Sequence, residues 1–208
     1  MKKLLTTLLL TIAMLLSFGT NALADEVSPA PAEDPVYISG TAPAQTDVSS
    51  MIPALHGVLL AMDNQGVTSF AADNDVFSWE MLYNLLSMYG QMDARAWFED
   101  DVLVLPGEAV ADYSAAILPA PISPETLPED LADRMRYDAE FDEYLLYCGS
   151  DDLSQVVIDD LIENGSRISL SGRLVYLAED ETLCSFIAEL SLRDNMFGYS
   201  LSTLEVGA

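Results

Sequence analysis

After residue 137 the hydrophobic period of this chain is two. RISLSGRLVYL (167–177) sets Ile168, Leu170 and Leu174 against Ser169, Ser171 and Arg173. TLCSFIAELSLR (182–193) places Cys184, Phe186, Ala188, Leu190 and Leu192 on one side, and FGYSLSTLEV (197–206) follows. Successive side chains on a strand point to opposite faces, so this pattern fits strands with one buried and one wet face. The short polar breaks EDE (179–181) and RDN (193–195) leave room only for tight turns, which predicts an antiparallel meander. EYLLYC (143–148) is expected to pair with it. SDDLSQVVIDDLIENG (150–165) fits either another strand or a capped helix ended at Asn164-Gly165.

Upstream the period is helical. Val76, Trp79, Leu82, Tyr83, Leu86 and Tyr89 recur at steps of three and four, which predicts a helix over 76–89 with Gly90 at its end. GEAVADYSAAIL (107–118) reads as a second helix: Val110, Tyr113 and Ile117 share a face, and Pro119 stops it. VLVLP (102–106) reads as a strand. The proline-rich stretch 119–135 reads as a connection in which Ser123-Pro124 or Pro128-Glu129-Asp130 starts a single helical turn. Residues 51–62 are ambiguous. Met51, Leu55, Val58, Leu59 and Met62 fit a helical stripe, but Gly57 interrupts it and DNQG (63–66) before VTSFA is turn chemistry, so a hairpin is the preferred reading. Helices followed by an antiparallel sheet give an α+β class, with the helices near 76–89 and 107–118 packed on a C-terminal meander that is free to curve.

The N-terminus carries an address. Lys2 and Lys3 precede the uncharged apolar run 4–18, and Ala22-x-Ala24 stands just before Asp25. That is the pattern of a secretory signal peptide over 1–24, and its lysine-led form is of bacterial type. The apolar run is short of the ~20 residues a spanning helix needs, so no transmembrane anchor is expected after signal removal. Residues 25–50, rich in Pro, Ala and acids, read as a leader or linker with one extended piece, VYISG (36–40). Residues 51–208 are left as a single α+β domain, large enough for a real core.

The chain holds 34 acids against 8 basic residues, a net charge of −26, and no lysine after Lys3. A surface of this sign repels phosphate backbones, which excludes nucleic acid as a partner, and it keeps copies of the chain apart, so a monomer is expected. The partner classes that remain are a protein, peptide or glycan ligand. Cys148 and Cys184 are the only cysteines. In an oxidising compartment they are compatible with a disulfide closing a loop of about 36 residues, and equally with two buried thiols.

In SFAADNDVFSWE (69–80) three oxygen-bearing side chains, Asp73, Asn74 and Asp75, stand in a row, and Glu80 follows five residues after Asp75. Asp73 and Asp75 are the candidate metal ligands. An EF-hand loop starting at Asp73 needs an oxygen at its fifth position, Gly at its sixth and Glu at its twelfth, where this chain has Phe77, Ser78 and Asn84. The run is better read as a helix start with Asp75 as the N-cap, Asn74 being the alternative. His56 is the sole histidine and sits in apolar PALHGVL; no G-x-S-x-G elbow accompanies it. YCGS around Cys148 lacks the flanking residues of a thiol-protease nucleophile. With so many acids, sequence spacing cannot single out a glycosidase pair. Of the aromatic residues Trp79, Tyr83, Tyr89 and Trp97, the first three lie at helical spacing and read as core. Trp97, in RAWFEDD, reads as the exposed one, so Trp97 and His56 are the candidate ligand-binding residues. No catalytic set and no cofactor is expected. The sequence favours a non-catalytic secreted domain, a binding or accessory module of the bacterial envelope or extracellular space. The alternatives are a small extracellular hydrolase using acidic residues and a calcium-responsive module.

Overall fold

Helix α2, Asp75–Tyr89, is the spindle of the domain in the computed structural model, which describes residues 46–148 and 153–207. The expected signal peptide (1–24) and the VYISG piece lie outside those residues. All described residues fall within one compact unit. Phe77, Trp79, Met81, Leu82, Leu85 and Leu86 of α2 are fully buried. Each such side chain contributes about 1.5–3 kcal/mol relative to exposure, so burial rather than intrinsic propensity holds this helix.

Helix α1, Ile52–Gln65, packs along α2. This corrects the hairpin expected for 51–72, and the two features that argued for a hairpin have other causes. Gly57 lies at the helix contact: a Cβ there would sit 2.9 Å from Leu85 Cβ and 3.0 Å from the Met81 carbonyl oxygen. Only glycine lets the helices approach so closely. DNQG is the helix end, with Gly66 in the left-handed conformation at φ 62° and its N–H on the Asp63 carbonyl at 3.1 Å. The side-chain pairs Asn64–Glu80 and His56–Tyr89 set α1 and α2 antiparallel.

A small antiparallel sheet follows, formed by β1 (Trp97–Glu99), β2 (Val102–Pro106), β3 (Met135–Asp138) and β4 (Glu143–Leu146) in the order β1-β2-β4-β3. The strand expected at 102–106 is β2. The expected partner of EYLLYC is corrected: β4 pairs with β2 and β3, not with the meander. Alternating hydrophobicity marks a strand but does not encode its neighbour. Helix α3, Gly107–Ile117, leaves β2 directly and packs on the last strand of the chain. Single helical turns occupy Pro124–Thr126 and Glu129–Leu131, at the two expected places in the proline-rich connection.

The C-terminal meander is present as expected: β5 (Ser154–Asn164), β6 (Arg167–Tyr176), β7 (Glu181–Leu192) and β8 (Tyr199–Gly207) lie side by side in chain order. Ile168, Leu170, Leu174, Phe186, Ala188, Leu190, Leu201 and Leu204 are buried on its inner face. Segment 154–164 is a strand with a β-bulge at Asp159, where the pairing with β6 passes from Ile158–Gly172 to Asp160–Ser171. The bulge explains the ambiguous period: inward positions run Val156, Ile158, then Leu161, a two-step followed by a three-step. The outer edge of β8 is closed by the chain between α1 and α2. The Phe70 N–H donates to the Leu204 carbonyl and the Val206 N–H to the Thr68 carbonyl, both at 2.9 Å. One apolar cluster joins the helices and both sheets.

Candidate functional site

The run 69–80 passes through three environments. Ser69 bridges Glu205 at the edge of β8. A turn then closes with the Asn74 N–H on the Ala71 carbonyl at 3.0 Å. Asn74 has extended backbone, φ −102° and ψ 111°, and its side chain accepts the Phe77 N–H at 3.2 Å. The N-cap is therefore Asn74, not Asp75. The turn ends one residue earlier than the acidic pattern suggested, so Asp75 already has helical backbone and serves only as a first-turn charge. Asp73 is exposed at the rim of a cleft of about 740 Å3 that also holds Arg193, Asp194 and Asn195. Among the described residues no group of three or more His, Cys, Asp or Glu is arranged to hold a metal ion.

Glu80 belongs to a different set, a polar seam on one face of α2. Arg134, just ahead of β3, clamps both its carboxylate oxygens: Nη1 donates to Oε1 at 3.2 Å and Nη2 to Oε2 at 3.0 Å. Asn64 Nδ2 donates to Oε1 at 3.1 Å. The Arg134 guanidinium lies 4.7 Å over the Tyr83 ring, and the Tyr83 hydroxyl donates to the Tyr147 carbonyl at 3.0 Å. Asn84, one turn along the same face, is buried, and its Nδ2 has no hydrogen-bond partner among the described residues. The bidentate fork and the Asn64 bond fix the carboxylate between α1, α2 and the residue just ahead of β3.

His56 is interior, 3% exposed. Its Nδ1 is 2.8 Å from the Tyr89 hydroxyl and its Nε2 2.9 Å from the Ser154 hydroxyl, so the ring joins α1, α2 and β5. Trp79 and Tyr83 are core residues, and the Trp79 indole N–H donates to Thr126 Oγ1 at 3.0 Å. Trp97 is exposed on β1, beside the equally exposed Phe98. Cys184 is a half-buried thiol on β7, raised above the ordinary thiol value by burial. Cys148 is exposed just after β4, and no disulfide joins the two in this structure.

Two arginines, Arg95 and Arg173, set the acidic-side electrostatics. Arg95 donates to Asp93 and to Asp112 on α3, at 2.9 and 2.7 Å. Its guanidinium, through hydrogen bonds first, holds the Asp93 carboxyl below the usual carboxylate range. Arg173 on β6 does the same to Asp159 at the β5 bulge, 2.9 Å away. On the alkaline side, burial pushes the Tyr144 phenol well above its ordinary value and raises Tyr113 as well.

The feature that best fits a ligand was not legible in the sequence. A cleft of about 630 Å3 runs between residues Thr46–Ser49 and the bulged part of β5. Val48, Ile52, Ile158 and Leu161 supply its apolar lining; Asp47, Asp159, Asp160 and Glu163 line it with exposed carboxylates. Thr46 Oγ1 donates to Glu163 Oε1 across it. One wall comes from the end of a segment that reads as linker, and the other from a bulge that sequence periodicity shows only as a slip of phase. The chain matches no protein-family model, no curated protein and no solved structure.

Proposed function

We propose that this is a non-catalytic extracytoplasmic module that binds a protein or peptide ligand in the cleft between Thr46–Ser49 and β5. The cleft carries the reading. It is concave, it lies within the usual range of ligand sites of about 300–1,000 Å3, and it combines an apolar lining with exposed charge. The secretory leader supports export, and the acidic surface disfavours nucleic acid. A second candidate is strand β1, where Trp97, 42% exposed, stands on one face and Phe98, 53% exposed, on the other; either ring fits a glycan or an aromatic-seeking loop. NMR titration of the purified protein against panels of short peptides and oligosaccharides separates the two. Shifts confined to Thr46–Ile52 and Ile158–Glu163 are expected. Shifts confined to Trp97–Glu99 would move the site to β1, and turnover of any probe would overturn the non-catalytic reading.

A further inference from the structure

The meander treats its two edges differently. The edge at β8 is closed by residues 68–70. The edge at β5 has no strand partner among the described residues, although β5 runs eleven residues, Ser154–Asn164. A long open edge offers a row of main-chain donors and acceptors to any extended polypeptide, and proteins guard such edges with bulges and charge. Both guards are present here: the bulge at Asp159 and the acids Asp159, Asp160 and Glu163.

Those guards select as well as protect. A second copy of this chain would bring the same carboxylates and a net charge of −26 to the edge, and is repelled. Asp159 is neutralised by Arg173, but Asp47, Asp160 and Glu163 have no ion pair among the described residues. The apolar lining beside them, chiefly Ile52 and Leu161, sits within the same cleft. Leu161 and Glu163 share the inner face of β5, opposite Leu170 and Ile168 of β6, and Asp160 lies on the other face; an incoming strand places alternate side chains on opposite faces, so one strand can set a cation on each face and an apolar side chain on Leu161.

Resting on the binding reading above, we propose that β5 docks an extended, lysine- or arginine-bearing polypeptide segment. The segment adds to the sheet as a further strand beside β5, setting its cations against Asp47, Asp160 and Glu163 and an apolar side chain on Ile52 and Leu161.

The test is NMR and calorimetric titration of the purified protein with three nine-residue peptides: one of Val with Lys at every third position, so that both faces carry a cation, its Gln-for-Lys analogue, and the Lys/Val peptide N-methylated at every amide, which leaves neither edge able to pair. The Lys/Val peptide is expected to shift Asp47–Ile52 and Ile158–Glu163, to bind more weakly as salt rises, and to lose affinity about tenfold in Asp160→Asn/Glu163→Gln, since exposed charge pairs are individually modest. The N-methylated peptide is expected to bind at least tenfold more weakly, because it cannot complete the ladder. Equal binding of the Gln and Lys peptides at these residues would overturn the cationic partner while leaving the binding cleft standing. Equal binding of the N-methylated peptide would overturn strand addition. Failure of the Lys/Val peptide to shift these residues at ~1 mM would overturn the proposal, even if another ligand fills the cleft. The salt dependence and the peptide analogues use the unaltered protein, so they decide the matter whether or not the double variant folds.

Discussion

Gly57→Ala is a sharp test of how α1 meets α2. At an open helical position this change stabilises by about 0.8–1 kcal/mol, because glycine has the larger backbone entropy to lose. Here the new methyl would lie 2.9 Å from Leu85 Cβ, 3.0 Å from the Met81 carbonyl oxygen and 3.1 Å from the Leu85 nitrogen, where ordinary contact begins at 3.4 Å. None of these atoms can rotate away, so the helices must part by about half an ångström. Overpacking of this kind costs about 1–3 kcal/mol. Subtracting the propensity gain leaves a net loss of about 1 kcal/mol for alanine, and a larger one for Gly57→Val, which adds branched bulk at the same point. Urea denaturation followed by circular dichroism reads the effect as a lower midpoint with unchanged slope. A Gly57→Ala variant more stable than the parent by about 1 kcal/mol would refute the close crossing.

Three further expectations concern other parts of the fold. Asn74→Ala should lose about 0.5–2 kcal/mol of stability with the helix cap, whereas Asp75→Ala should lose only about 0.3–1 kcal/mol of charge–dipole energy; the reverse order in thermal melts would return the cap to Asp75. Arg134→Met should cost more than Glu80→Gln, on the order of 2 kcal/mol against 1, because it strands the more buried partner; equal losses in urea midpoints would show that the fork carries little. The pH profile of stability should fall on both sides. Asp93 and Asp159 have depressed values in the folded chain, so their contribution is present above the ordinary aspartate value near 4 and is lost as pH falls through the folded values. Tyr113 and Tyr144 are raised, so theirs is present below about 10 and is lost as pH rises further. Urea midpoints that climb below pH 4, or that hold flat well above pH 10, would contradict these assignments.

Periodicity made α2, α3 and the meander legible because each buries a repeating face. It failed where one residue served a purpose other than its usual one. Gly57 reads as a helix breaker but is a contact residue, and DNQG reads as a hairpin turn but caps a helix. The strand at 143–146 was visible, while its sheet was not, since nothing in EYLL distinguishes β2 from the meander as a neighbour. The cap was missed by a single position, because both Asn74 and Asp75 have the right chemistry and only backbone geometry separates them. Trp97 was read as exposed from its place between apolar runs, and it is. The Glu80–Arg134 fork joins residues 54 apart in sequence, and the cleft joins the linker's end to a bulge; neither separation leaves a local mark.

The closure of β8 by residues 68–70 has a consequence for how the chain assembles. Ser50 Oγ donates to the Phe197 carbonyl across 147 positions, and the Tyr199 hydroxyl reaches the Asp47 carbonyl across 152. The residues just ahead of α1 are thus fastened to the start of β8, and those contacts cannot form until β8 has been made. A chain synthesised from its N-terminus holds these contacts open throughout elongation, and contacts of such span are slow to form. The nine-residue strand β8 is the latch of these contacts, and an interruption before it leaves the edge of β7 and residues 68–70 without their partner.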